Sequence, residues 1–414
     1  MARTAQPGST NGSFKTIAIL GAFCLFLSTI EYLIPKPAPF MRLGIANLPL
    51  MLALDIVPFS GFLLLIGIKV IGQGIITGTL FSYILLFSLA GTGVSALTMF
   101  FLRRFLGPER ISLVGISVLG ALLSNGAQLG LARVFIFGQS VRYITPPFLA
   151  MGLITSLALG LFCEYFIRGS RWYAGNRRVE SAFEDEYEAF ISPSAIFPPR
   201  APRFLSWEQF RQRRQDMYEN LFGSSGLCVA GLLMMPALVF NPNPYFRTLQ
   251  FMFFWFLAAL GGKRNNPLTT ILIILGITAF NLLAPYGRVL FSWGLFRITE
   301  GALLAGIQRG VTLEGLIMLS RIAIRRDLRL PGVFGELIGE SFRILKLVQE
   351  RRNTITRKNF VRDIDNLLIE LSGTEELPPA ALKKRRPTTA VGWIILCAAV
   401  ILAWLPWLWG ASVI

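Results

Sequence analysis

Apolar runs of roughly twenty residues recur along this chain, separated by short gaps rich in proline, glycine and basic residues. A helix needs about 20 apolar residues to cross a bilayer core, so the pattern predicts an all-α polytopic membrane protein. In the first half it predicts spans near 16–34, 44–58, 61–80, 82–102, 111–134 and 147–167. The gaps between them hold turn formers, among them Pro35, Pro37, Pro39, Pro58, the Gly107-Pro108 pair and the Pro146-Pro147 pair. Arg103, Arg104 and Arg110, then Arg168, Arg171, Arg177 and Arg178, mark cytoplasmic ends. Six spans with both ends inside satisfy them all. The second half predicts spans near 225–240, 247–262, 266–284, 300–324 and 389–410, about eleven in total, with Lys263 and Arg264 of "GGKRNNP" inside. Arg297, Glu300, Arg309, Glu314 and Arg321 recur through 286–324, so part of that stretch is expected at the interface or against protein. Trp393, Trp404, Trp407 and Trp409 suit interfacial anchoring of the final span.

Two polar regions interrupt this pattern. Residues 168–224 combine basic residues with the acidic run "ESAFEDEYEAF" and the proline-rich "SPSAIFPPRAPRF", which reads as a cytoplasmic linker. Residues 325–388 are different, because apolar positions there return at helical spacing. Phe334, Leu337, Ile338, Phe342, Leu345 and Val348 form one face, and Phe360, Val361, Ile364, Leu367, Leu368 and Leu371 a second. Lys358, Arg362, Asp363, Asp365 and Glu370 fall off that second face. The chain therefore divides into a six-helix domain at 1–167, a linker at 168–224, and a second membrane domain at 225–414 with a cytoplasmic amphipathic region at 325–388.

Composition agrees. The chain is 53% hydrophobic and 15% charged, far less charge than a soluble protein of this length carries. Its formal charge of +17 fits basic cytoplasmic loops, and no nucleic-acid module accompanies it. The polar start from Met1 to Lys15 leads into a run that continues to Glu31 without a small-residue cleavage site, so a retained first span is expected. No histidine is present, which excludes histidine triads, relays and metal ligands; Cys24, Cys163, Cys228 and Cys397 stand singly within apolar segments. The phosphate-binding GxxxxGK[ST], an aspartate-rich diphosphate motif, GxSxG and HExxH are all missing. The expectation is a non-enzyme that needs no cofactor and no metal.

Polar side chains inside apolar spans carry the remaining information, since each is costly in lipid unless it faces protein or a cavity. Lys69 lies mid-span with Gln73 four residues on and so on the same helix face; Asn125 and Gln128 are three apart; Asn47 opens the second span. Together they offer one cation and several amides, suited to an oxygen-rich or anionic small molecule. The alternative is that the amides pair between helices and Lys69 snorkels. Ala18 and Ala22, with Gly21 beside them, form an A-x-x-x-A spacing that admits a close helix neighbour.

The text "RLGIANLPLMLAL", "FSLAGTGVSALTMFFLRR" and "SLVGISVLGALLSNGAQLGLA" resembles the Gx transporter family, also labelled heptaprenyl diphosphate synthase component I. That family is similar to the S components of energy-coupling factor transporters, six-helix proteins that capture vitamins or metal ions. The resemblance implies that Ala18 and Ala22 match the first-helix motif that contacts the partner T component. The second half resembles a T component in architecture, with 325–388 where coupling helices dock into paired ATPases. The family's Ala-Arg-Gly-like coupling motif is replaced here by arginines alone, Arg343, Arg351 and Arg352. The expectation is a fused S-plus-T subunit of a bacterial inner-membrane importer with its N-terminus in the cytoplasm. It would work with ABC-type ATPase subunits in trans, membrane lipids and a small vitamin- or cofactor-like substrate, and no nucleic acid. The rival readings are a scaffold for polyprenyl diphosphate or quinone synthesis, and a flavin-related redox accessory protein. No "SGAT" flavin-attachment sequence is present.

Overall fold

In lipid a backbone must satisfy its own polar groups, which leaves helices and closed barrels; helix dominates this chain. The computed structural model describes residues 9–33, 44–107, 109–178, 217–218, 220–263, 266–293, 296–325, 328, 330, 332–351, 359–373 and 387–412. The first helical group comprises α1 (Ser9–Leu33), α2 (Leu48–Ala53), α3 (Phe59–Thr77), α4 (Tyr83–Leu106), α5 (Leu113–Ala132), α6 (Val141–Gly169) and α7 (Arg171–Arg178). The second comprises α8 (Ser224–Val239), α9 (Pro244–Leu260), α10 (Pro267–Leu282), α11 (Glu300–Ala323) and α14 (Ala390–Ser412). Two helices, α12 (Gly332–Glu350) and α13 (Phe360–Gly373), lie between α11 and α14 in sequence.

Among the described residues, six stretches are long and apolar enough to cross a membrane, and Ser224–Val239 and Pro267–Leu282 are shorter apolar helices. One of the six, Leu113–Gly169, spans both α5 and α6. A π turn at Arg133–Phe137 and Gly138 at φ 55° break it there, a left-handed backbone that favours glycine. The helix after the break starts at Val141, ahead of Pro146 and Pro147, so those prolines sit inside it and do not precede it.

The stretch expected as a span at 44–58 differs from the others. Its α-helix has six residues and rises only about 9 Å. Pro49 stands in its first turn, and Pro58 disfavours helical backbone at the residue before it. It still runs the length of the group. Gly44 and Ala46 amides donate to Glu31 near the end of α1, while Asp55 accepts from Arg103 near the end of α4 and from Tyr173 in α7. Lys15 and Trp172 both reach Ser372, so α1 begins at that same Asp55 end. Both ends of the first group therefore share one face.

The segment 286–299 is not helix but a hairpin of β1 (Val289–Trp293) and β2 (Phe296–Thr299). Gly287 at φ 85° allows the turn that leads into it. It is the place where an interfacial or protein-facing element was expected.

The two groups meet end to flank. The α3–α4 connection touches α11 late, where the Phe81 amide donates to Ser320 Oγ at 3.1 Å. The α5–α6 turn touches it early, with Gly138 against the Arg309 guanidinium and Asn281 of α10 donating to the Ile136 carbonyl at 3.0 Å. Residues 309 and 320 of a helix are roughly 16 Å apart, so the end of α3–α6 lies against the side of α11. Tyr83, Phe87, Ile144 and Phe148 from the first turns of α4 and α6 accordingly share a core with Val311, Leu316 and Leu319.

The amphipathic helices turn their apolar faces towards the spans. Leu337, Ile338, Ile344, Leu345 and Val348 of α12, with Leu367, Leu368 and Leu371 of α13, belong to the same buried core as α1, α3 and α4. Their apolar faces cover the first helical group and not a lipid surface, and Asp365, placed off the apolar face by spacing, is buried.

Candidate functional site

A cavity of about 50 Å³ opens among α1, α3, α4, α5, α6 and the 44–47 turn, with room for a few waters. Asn47, Lys69, Gln73, Asn125 and Gln128 all line it. These five residues come from three separate stretches of sequence, and one cavity brings them together. Lys69 is 2% exposed and donates to Asn47 Oδ1. A buried ammonium needs such partners, because desolvation without them costs several kcal/mol.

Glu31 is the lining residue that sequence reasoning passed over. It is 5% exposed, and its two carboxylate oxygens accept from Gly44 and Ala46 amides. A carboxylate at the end of an otherwise apolar run was the available signal. Hydroxyls were missed as well. Thr92, Ser95, Ser117, Ser124, Thr155 and Ser156 complete much of the wall, and small polar residues inside transmembrane helices give little pattern of their own. The wall thus carries one ammonium, one carboxylate, several amides and a belt of hydroxyls.

Glycines make room for two of the amides. A Cβ on Gly91 would lie 2.6 Å from Gln128 Nε2, and one on Gly152 would lie 1.9 Å from Asn125 Nδ2. Gln128 Nε2 donates to Ser124 Oγ at 3.0 Å, while its Oε1 is buried without a partner. An orphan acceptor at this depth costs about 1–3 kcal/mol. A guest bearing an O–H or N–H donor would satisfy it.

Ala18 and Ala22 are fully buried and lie in the core that includes α12. Gly21 beside them is so close to Ser341 of α12 that an added Cβ would stand 2.8 Å from its Oγ. The small-residue face expected to receive a partner helix is covered by α12 of the same chain.

Arg343 and Arg351, expected to face ATPases, have carboxylates of their own chain at hand. Arg343 bonds Glu340 at 2.6 Å within α12, and Arg351 pairs with Glu370 of α13. Arg352 lies outside the described residues. In the second group the polar residues mostly brace helices: Glu314 accepts from Thr270, Arg309 donates to Asn281, and Gln250 joins Asn241 to the carbonyls of Ala237 and Ala403. The four cysteines are free thiols. No group of three potential metal ligands occurs among the described residues.

Residues 20–166 match the family described as heptaprenyl diphosphate synthase component I, and residues 227–326 match a domain of unknown function (DUF8519). No curated protein and no solved structure matches the chain. The first match covers α1 from its fourth turn through nearly all of α6, the helices that line the cavity. Over residues 20–166 the first helical group is therefore similar to the heptaprenyl diphosphate synthase component I family, an S-component-like family.

Proposed function

We propose that the chain is the membrane subunit of an energy-coupling-factor-like transporter. In this reading 1–167 captures a small, oxygen-rich, vitamin- or cofactor-like molecule, 168–224 links, and 225–414 transmits force from ABC-type ATPases bound in trans. It would sit in a bacterial plasma membrane with its N-terminus in the cytoplasm. The observation that carries the reading is the convergence of Asn47, Lys69, Gln73, Asn125 and Gln128 on one cavity within a region that matches an S-component-like family.

Lys69 would pair with an anionic or carbonyl group of the ligand, and Gln128 Oε1 would accept a donor from it. Asn47, Gln73 and Asn125 would fix orientation. At about 50 Å³ the cavity is closed to most organic ligands, so capture requires a second, more open state. A ligand shifts that equilibrium only by its differential affinity for the two states. The end-to-flank joint against α11 is where such a change would be transmitted.

Support for a T-like role lies in the packing of Gly21, beside the buried Ala18 and Ala22, against α12, which in this reading would supply in one chain the contact that S and T components make between chains. Arg343, Arg351 and Arg352 would serve the ATPases, the first two by exchanging Glu340 and Glu370 for a partner's carboxylates. The test is uptake into vesicles with and without co-purified ATPases. ATP-dependent uptake that is lost in the Arg343→Ala/Arg351→Ala double variant supports the reading; an intact protein that recruits no ATPase overturns it.

A second reading rests on the family description, which names a synthase component. The chain would then scaffold a polyprenyl diphosphate synthase without catalysing. The cavity is far too small for a polyprenyl chain, and recovery of a prenyl synthase in place of ATPases would favour this reading.

A further inference from the structure

Helix α13 is fastened to the first helical group by an exchange of helix caps. Asp365, 5% exposed, points its carboxylate at the start of α7. Its Oδ2 accepts from the Arg171 amide at 3.0 Å, and its Oδ1 accepts from the Trp172 amide at 3.1 Å and from the Ser170 hydroxyl. The first amides of a helix have no partner within it, and a carboxylate there also meets the positive end of the helix dipole. Normally the capping side chain comes from the helix's own N-cap. Here Ser170 Oγ still serves the Tyr173 amide at 3.0 Å, while a residue some 190 positions later serves the other two.

The C-terminal end of α13 is capped in return. Lys15 of α1 donates to the Ser372 carbonyl at 2.6 Å, a cation at a helix C-terminus. Trp172 Nε1 donates to Ser372 Oγ at 2.7 Å. Beneath these contacts Leu367, Leu368 and Leu371 enter the first group's core, and Phe162 meets Phe360 at 6.0 Å between ring centroids. The α7 helix is itself held from below, since Tyr173 donates to Asp55 at 2.9 Å, and Asp55 is bound bidentately by Arg103.

We propose that Asp365 is the positioning residue of a built-in clamp that makes α13, and α12 tied to it through Arg351 and Glu370, move with the first helical group. The inference rests on the transport reading for its consequence: the substrate domain would be a dedicated part of this subunit, driven as one body with its coupling helices and not exchanged between partners. The clamp itself is a claim about the chain alone.

The test is hydrogen–deuterium exchange on the full-length protein in micelles, comparing Asp365→Ala, Asp365→Asn and Lys15→Met with the wild type. Loss of a capping carboxylate is expected to speed exchange about tenfold, in both the α13 peptide and the first turn of α7 for Asp365→Ala, with α8–α11 unchanged. Asp365→Asn keeps an acceptor and should give a smaller rise in the same two places. Lys15→Met should loosen the end of α13 while leaving the first turn of α7 protected. Arg362→Ala, an exposed position on the same helix, should change neither. An α7 that stays protected in Asp365→Ala, or an effect confined to α13, overturns the clamp. No substrate or ATPase enters this measurement, so that outcome would leave the transport reading standing. Conversely, a coupled rise in a protein that recruits no ATPase would keep the clamp and remove the transport role.

Discussion

Gly21 lies where α1 passes between α3 and α12, and replacing it with alanine tests whether that crossing is as tight as the structure has it. The new Cβ would stand 2.8 Å from Ser341 Oγ and 2.9 Å from Ile68 Cγ2, against an optimal separation of about 3.5–4.0 Å. Each of the two neighbours must retreat by roughly 0.6–1.2 Å. Both are fully buried and stand on opposite helices, so relief towards one presses on the other. Overpacking of this kind costs about 1–3 kcal/mol, and the gain of alanine over glycine in a helix returns about 1 kcal/mol. The expected net loss is about 1 kcal/mol. Ser341→Ala removes both the obstructing oxygen and a buried hydroxyl that has no hydrogen-bond partner, so alone it should be neutral or slightly stabilising. Combined with Gly21→Ala it should recover part of the loss. A double-mutant cycle on denaturation midpoints in mixed micelles should give a coupling of at least about 0.5 kcal/mol. Strict additivity of the two changes would refute the reasoning, and so would a Gly21→Ala variant stabilised by the full helix-propensity gain.

Three further outcomes follow from the geometry. Asp55→Asn leaves Arg103 without its charged partner where both side chains are under a fifth exposed, and should cost about 3 kcal/mol, read as a lowered denaturation midpoint. Asn281→Ala strips the Ile136 carbonyl and Arg309 of a shared partner. It should raise exchange in the 133–140 turn by about tenfold while leaving α12 unchanged. Gly152→Ala drives a methyl into the Asn125 amide and should abolish ligand retention, while the midpoint falls by no more than about 1–3 kcal/mol.

Much of this was legible in the sequence. Apolar run length gave the helices, because a bilayer fixes the length that a span must have. Lys69, Gln73, Asn125 and Gln128 stood out because each is expensive in lipid, and for the same reason they had to turn towards a common interior. The amphipathic faces of α12 and α13 were equally visible, but what they cover was not. Periodicity reports that a face is apolar, and only the fold shows that the first helical group fills it. Asp365 was misjudged for a related reason, since its buried position is stabilised by amides of a helix distant in sequence. Glu31 carried a signal as a carboxylate closing an apolar run, but the backbone amides that hold it in the cavity wall come from the 44–47 turn, which its spacing does not report. The short second segment failed the run-length rule because Pro49 and Pro58 confine its helix, whereas its hydropathy alone matches a span.

The central claim is that the cavity around Lys69 and Gln128 holds a small molecule. The most direct measurement is native mass spectrometry of the full-length protein purified gently from its own membranes, with bound small molecules identified after release. The account predicts one oxygen-rich ligand in near-stoichiometric amount, lost in Lys69→Met and in Gln128→Leu, with both variants still folded by their denaturation midpoints. A protein that carries no small molecule, or one whose bound molecule is indifferent to both substitutions, would contradict it.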